Sequence, residues 1–145
     1  MGIHMHLIAH HVGRLVEVTL ASPITMDEVD LFIRDNLAVL QHIPGKFVGA
    51  ANLLKAHVLP QDVADRMIQL LSGNAARVER SAMLIGDSAV FAMQVERVLH
   101  GGNHPNRRAF RSPTELAAWL GEVLTVPERA QLQMFLRKAT GNGAS

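Results

Sequence analysis

The chain has 145 residues, of which 48% are hydrophobic and 19% charged, a balance that excludes an intrinsically disordered protein. Its 14 basic and 13 acidic side chains are interspersed, so the sequence lacks the basic stripe of a nucleic-acid-binding protein, and we expect no nucleic-acid partner. The absence of cysteine excludes disulfides and thiolate metal sites and agrees with the cytoplasmic location that we expect.

The length and hydropathy pattern predict one domain over residues 1–145. No apolar run approaches the length of a membrane span, and the first residues lack the long apolar segment of a secretion signal. We therefore expect no membrane span. The first four residues are given no structural role.

Two short strands, residues 6–11 and 14–20, open the predicted domain. Gly13 in their short connection suits a hairpin, because such a tight turn needs a positive φ. Ser22 and Pro23 then end the second strand. Thr25 and Glu28 predict a capping box, in which each side chain accepts a hydrogen bond from the other residue's backbone amide. The helix that follows has an apolar stripe at helical spacing and ends at Pro44.

The rest of the chain alternates predicted strands and helices. The strands are residues 47–54, 81–86 and 107–111, and the first two are apolar enough to be covered on both faces. One helix begins at Pro60, and a second is capped by Asp87 or Ser88 and runs to about Leu99. A helix capped by Ser112 follows, and a further helix spans about residues 127–138 before a polar tail at 140–145.

This order predicts an α/β fold with a mixed, mostly parallel sheet of about five strands. The N-terminal antiparallel hairpin forms one side of the sheet, and four to five helices cover it. The core is expected over about residues 5–124. Two roles remain open for helix 127–138: it covers the sheet, or it exposes Met134, Phe135 or Leu136 as a contact surface.

Three stretches resemble the SpoIIAA-like or STAS-like domains of bacteria: the hairpin leading into residues 22–28, the strand and helix of 81–97, and residues 107–120. The resemblance implies a SpoIIAA-like fold and either protein partners or, as in other members of the wider group, an apolar ligand. In the anti-sigma-factor antagonists of this family, a serine after the central strand is phosphorylated. The corresponding residues 56–62 contain no serine or threonine, so that switch is not implied here.

Several residues are candidates for a ligand or partner site. His57 and Asp87 each follow a predicted parallel strand, where ligands bind in open α/β sheets, and His57 could form an acid–base pair with Asp62 or Asp87. Arg97 shares a helix face with Gln94 that is solvated or faces a partner. Phe135 is the candidate on the last helix. No nucleophile motif or phosphate loop accompanies them.

A group of histidines and a group of arginines are less specific indications of a binding site. His4, His6, His10 and His11 lie close in sequence, but no carboxylate within that segment completes a metal shell, so we expect neither a metal nor a cofactor. Arg107, Arg108 and Arg111 are interpreted as a solvated strand edge, with phosphate contact as the alternative.

The sequence therefore predicts a non-enzymatic regulatory or interaction module that acts through protein–protein contacts, with a homodimer expected. The alternative is a carrier or sensor that holds a small apolar or anionic ligand between the helices and the sheet.

Overall fold

The computed structural model describes residues 5–101 and 105–141. They form an α/β domain in which strands and helices alternate after an initial hairpin. The elements are β1 (His6–His10), β2 (Leu15–Ala21), α1 (Met26–Leu40), β3 (Phe47–Lys55), α2 (Gln61–Gly73), a 3-10 turn (Ala75–Arg77), β4 (Val78–Leu84), α3 (Ala89–Gly101), β5 (Arg107–Phe110), α4 (Pro113–Gly121) and α5 (Val126–Thr140).

The five strands form one mixed sheet in the order β1-β2-β3-β4-β5. Only the β1–β2 pair is antiparallel, and the other three pairs are parallel. Gly13, in the turn between β1 and β2, has a φ of 57°, which confirms that the tight turn uses the left-handed region. The α/β class, the edge hairpin and the mostly parallel sheet are thus confirmed.

The helices lie on both faces of the sheet. Helices α1, α2 and α3 connect successive neighbouring strands and pack against one face, in a core that includes Leu20, Val29, Val63 and Phe91. Helices α4 and α5 pack against the other face, where Leu116 and other buried leucines meet β3 and β4. The crossover helices α1, α2 and α3 therefore cover one face of the sheet, and the C-terminal helices α4 and α5 cover the other.

Strand β4 differs from its predicted bounds, since it begins at Val78 rather than Ser81 and ends at Leu84. Val78 is buried and pairs with Phe47, so the strand includes the charged Glu79 and Arg80 that the hydropathy pattern left outside it. Arg80 avoids a burial penalty by donating to the backbone oxygen of Trp119 and to Glu122. Tertiary contacts therefore decided this boundary.

Helix α5 covers the sheet. Leu132 and Leu136 are buried in the core, and Phe135 is half-buried against it, whereas Met134 is 61% exposed. Its N-terminus carries a full capping box, in which Thr125 and Glu128 satisfy each other's backbone amides. The buried core therefore includes α5.

Candidate functional site

A cavity of about 120 Å³ lies between the sheet and helices α1–α3. Its lining is almost entirely apolar, with side chains from β2, β3, α2 and α3. The space has a local cause in β3, where Gly49 and Ala51 occupy the face that points toward these helices. Because residues two apart in a strand share a face, the small residues at 49 and 51 leave a hollow that longer side chains would fill.

One end of the cavity is polar and is formed where the parallel strands begin. A single row of paired residues crosses the sheet there, from Val16 in β2 through Gly49 and Ser81 to Arg107 in β5. All four residues line the cavity, together with Asn74, which precedes the 3-10 turn. The row thus places a cationic side chain at the end of an otherwise apolar space.

Arg107 is buried, with 6% of its surface exposed. Its Nη2 donates to Oδ1 of Asn74 at 2.6 Å. Its Nε and Nη1 are inaccessible to solvent and have no hydrogen-bond partner among residues 5–101 and 105–141. A guanidinium carries five N–H donors, so the three on Nε and Nη1 are unused.

The charge of Arg107 is also uncompensated, because no ion pair joins it to an acidic residue in the described part of the chain. Burial lowers the pKa of Arg107 to about 10, and the side chain therefore remains charged at neutral pH. A buried cation without a counter-charge is energetically costly. The cavity therefore offers strong attraction to a negative group.

Besides Arg107, Asn74 and Gln94, two polar side chains line the cavity. Asn36 of α1 is 5% exposed and lines the cavity. Ser81 lies beside Gly49, and its Oγ would be 3.1 Å from a Cβ placed there. Both can donate to or accept from a polar group in the cavity. An apolar space with a few convergent polar groups is the usual form of a small-molecule site.

The predicted candidates near the ends of the strands lie elsewhere. His57, Asp62 and Asp87 are exposed and are not among the residues that line the cavity. The His57 amide donates to Ser22 Oγ at 2.7 Å, and Asp62 accepts from the Val63 amide at 2.9 Å. No hydrogen bond or ion pair joins His57 to either aspartate in this structure, so these residues do not form the acid–base pair that the sequence allows. Their roles in a partner or ligand site stay predictions.

Gln94 and Arg97 lie in different environments on α3. Arg97 is exposed, whereas Gln94 lines the cavity and is half-buried. The Leu59 amide donates to Gln94 Oε1 at 2.6 Å, and Gln94 Nε2 donates to the Leu59 oxygen at 2.8 Å. Gln94 therefore attaches the loop after β3 to α3, because its side-chain oxygen and nitrogen are both hydrogen-bonded to the backbone of Leu59. Phe135 packs on the opposite face of the sheet.

His6 is buried rather than placed on an open strand face. Its Nδ1 contacts Glu28, and its Nε2 lies 2.8 Å from Asp35 Oδ2. The Glu28 carboxylate also accepts from the Met5 amide at 3.2 Å. The capping box predicted for α1 is thus only half formed: the Thr25 hydroxyl accepts from the Glu28 amide, but the Glu28 side chain is engaged by β1.

These contacts bear on the histidine metal hypothesis. The carboxylates near His6 belong to α1. The sequence of the histidine segment itself therefore does not reveal them. Within residues 5–101 and 105–141, no group of three or more histidine, aspartate or glutamate side chains is arranged to hold a metal ion. His4 lies outside the described residues.

The arginine cluster is divided by the sheet. Arg107 faces the cavity, whereas its neighbour Arg108 is exposed and lies over the Trp119 ring at 5.0 Å, with Arg80 at 4.8 Å from the same ring. Successive strand residues point to opposite faces, so Arg107 and Arg108 cannot contact one phosphate group together. The interpretation of Arg107 as a solvated edge residue is therefore wrong.

Comparisons of the chain with protein-family models, with curated proteins and with solved structures find no match. The SpoIIAA-like resemblance accordingly stays a prediction. In the described ranges, no helix combines the length and apolarity required to cross a membrane. Fold and site together define an α/β domain with an apolar cavity of ligand size.

Proposed function

We propose that this protein is a small-molecule carrier or sensor that holds an apolar ligand between the sheet and helices α1–α3. The cavity of about 120 Å³ carries the proposal. An apolar cavity of roughly 150 Å³ in another protein binds benzene. The ligand expected here is accordingly close to one ring, or to a short branched chain, in size.

The construction of the cavity supports binding over catalysis. Its lining holds aliphatic and aromatic side chains, three amides, the Ser81 hydroxyl and the Arg107 guanidinium, and among the described residues that line it no hydroxyl or carboxylate is hydrogen-bonded to a histidine. Such a pair is what an activated nucleophile requires. The role proposed for this cavity is therefore ligand binding.

The test is a measurement of binding to the purified protein. Native mass spectrometry of protein from its host should show an additional small mass, and a ring-sized apolar probe should raise the melting temperature. Ala51→Leu, which adds carbon atoms inside the cavity, should abolish the probe's effect. Ala38→Leu makes the same change on the exposed side of α1 and should leave the effect intact. Absence of both the mass and the shift, or a shift unaltered by Ala51→Leu, would contradict the proposal.

A second role, contact with another protein and formation of a homodimer, is favoured by exposed apolar side chains at one end of the molecule. Val90 and Met93 are one turn apart at the start of α3, and both are exposed. Val58 is also exposed and adjoins Leu59, the residue bound by Gln94. Sedimentation of the protein should then reveal a dimer that Met93→Lys dissociates, whereas Met134→Lys on α5 should not. A monomer at all concentrations argues against self-association.

A further inference from the structure

We propose that the ligand of this cavity is a monocarboxylic acid, whose carboxylate is bound by Arg107 and whose apolar body fills the space beneath β3. This inference rests on the proposed binding function and specifies its ligand class. The observation that carries it is the buried guanidinium with unused donors at the end of an apolar cavity.

The charge of the lining selects an anion. Arg107 is the only charged residue among the described residues that line the cavity. A cationic ligand would meet an uncompensated positive charge there, and a neutral ligand would leave that charge buried without a partner. An anionic group satisfies both the charge and the donors.

The single cation in the cavity lining indicates a ligand that carries a single negative charge. One guanidinium balances one carboxylate, whereas a phosphate monoester with nearly two charges would keep an uncompensated charge in an apolar space. A guanidinium also matches a carboxylate in shape, because both are planar and two parallel hydrogen bonds can join them. Contact between the carboxylate and the shielded Nε and Nη1 requires the Arg107 side chain to shift toward the cavity.

The neighbouring polar groups complete the site. Asn74 already holds Nη2 of Arg107 at 2.6 Å, which restricts the position of the guanidinium before a ligand arrives. Ser81 is paired with Arg107 in the sheet and can donate to the second carboxylate oxygen, and Asn36 lines the same cavity. Apart from Gln94, whose side-chain amide is occupied by the Leu59 backbone, the rest of the lining is apolar and excludes a second charged group on the ligand. The acid is therefore expected to have a single polar end.

The experiment compares two probes of similar shape by isothermal titration calorimetry. Cyclohexanecarboxylate carries the anionic group, and cyclohexylmethanol replaces it with a neutral one. The unmodified protein should bind the carboxylate more tightly than the alcohol. Arg107→Met should weaken carboxylate binding about 10- to 100-fold, the value of one or two charged hydrogen bonds, and should leave alcohol binding within about threefold.

Two further variants separate the possible failures. Arg107→Lys keeps the charge but removes the planar fork, and its carboxylate affinity should fall between those of the other two proteins. Ala51→Leu should weaken both probes, since it fills the shared apolar space. Alcohol binding by Arg107→Met shows that this variant is folded.

The outcomes distinguish the inference from the proposed function. Equal affinity for the two probes, with no loss in Arg107→Met, overturns the carboxylate assignment but leaves a cavity for neutral apolar ligands. Binding of neither probe, or binding that Ala51→Leu does not change, overturns both.

Discussion

Glu128 and Gly13 are in direct contact, although one begins the last helix and the other lies in the first turn. A Cβ placed on Gly13 would overlap the Glu128 carboxylate, with its Cδ only 2.8 Å away. The carboxylate accepts from the Arg14 amide at 2.7 Å and from the Thr125 amide at 2.8 Å. This contact ties the β1–β2 hairpin to α5.

Gly13→Ala should therefore be strongly destabilising. The φ of 57° costs a non-glycine residue about 1 kcal/mol, and displacement of Glu128 removes a helix cap worth about another 1 kcal/mol. We expect a decrease of about 2–4 kcal/mol in the free energy of unfolding, measured in urea. Gly45→Ala is the matched control, because Gly45 has a φ of 76° but no atom near its Cβ position. Equal losses in the two variants would show that the Glu128 contact contributes nothing.

Glu128 should also make stability dependent on pH. Burial alone raises the pKa of Glu128, but hydrogen bonds from the Arg14 and Thr125 amides outweigh burial, and the pKa is lowered. The stability that the carboxylate contributes is thus fully present above its unfolded pKa of about 4.3 and is lost as pH falls through the lower folded value.

Glu128→Gln should accordingly lower the free energy of unfolding by about 1–3 kcal/mol at pH 7, and this difference should shrink as pH falls below about 4. Urea unfolding at a series of pH values measures it. Glu122→Gln alters an exposed glutamate and should have a much smaller effect at pH 7. A difference that grows at acid pH would contradict the assignment.

Removal of the Arg107 charge should stabilise the protein without ligand. Arg107→Met keeps much of the side-chain volume and removes an uncompensated buried cation, so we expect a gain of about 1 kcal/mol or more in the free energy of unfolding. Because the folded pKa of Arg107 is lowered to about 10, the destabilisation is fully present at neutral pH and declines as pH rises through that value. Arg107→Lys retains a charge and should gain less. A large loss of stability in Arg107→Met would mean that the arginine serves the fold.

Gln94→Ala should loosen the loop between β3 and α2. It removes both hydrogen bonds to the Leu59 backbone and leaves that backbone unit unsatisfied, at a cost of about 1–3 kcal/mol. Hydrogen exchange of the Leu59 amide should become faster. Arg97→Ala, one turn away on α3 and exposed, should change stability by no more than about 0.5 kcal/mol. Similar effects of the two substitutions would contradict the distinction between them.

The order of strands and helices followed from the sequence because its signals are local. The glycine of the first turn, the serine and threonine caps and the spacing of apolar residues each act within a few positions. They predicted the edge hairpin and the parallel strands that the structure contains. The start of β4 was missed because Val78 is stabilised by Phe47, a residue far away in the chain.

The candidate site depended on tertiary structure. In β5, Arg107 and Arg108 point to opposite faces, and local alternation alone cannot say which one faces inward. Pairing of Arg107 with Ser81, and of Ser81 with Gly49, decided that Arg107 lies at the end of the cavity. The cavity itself arises where small side chains of β3 meet three helices from separate parts of the chain. Sequence patterns therefore determined which elements form, and only their packing determined which buried charge was left without a partner.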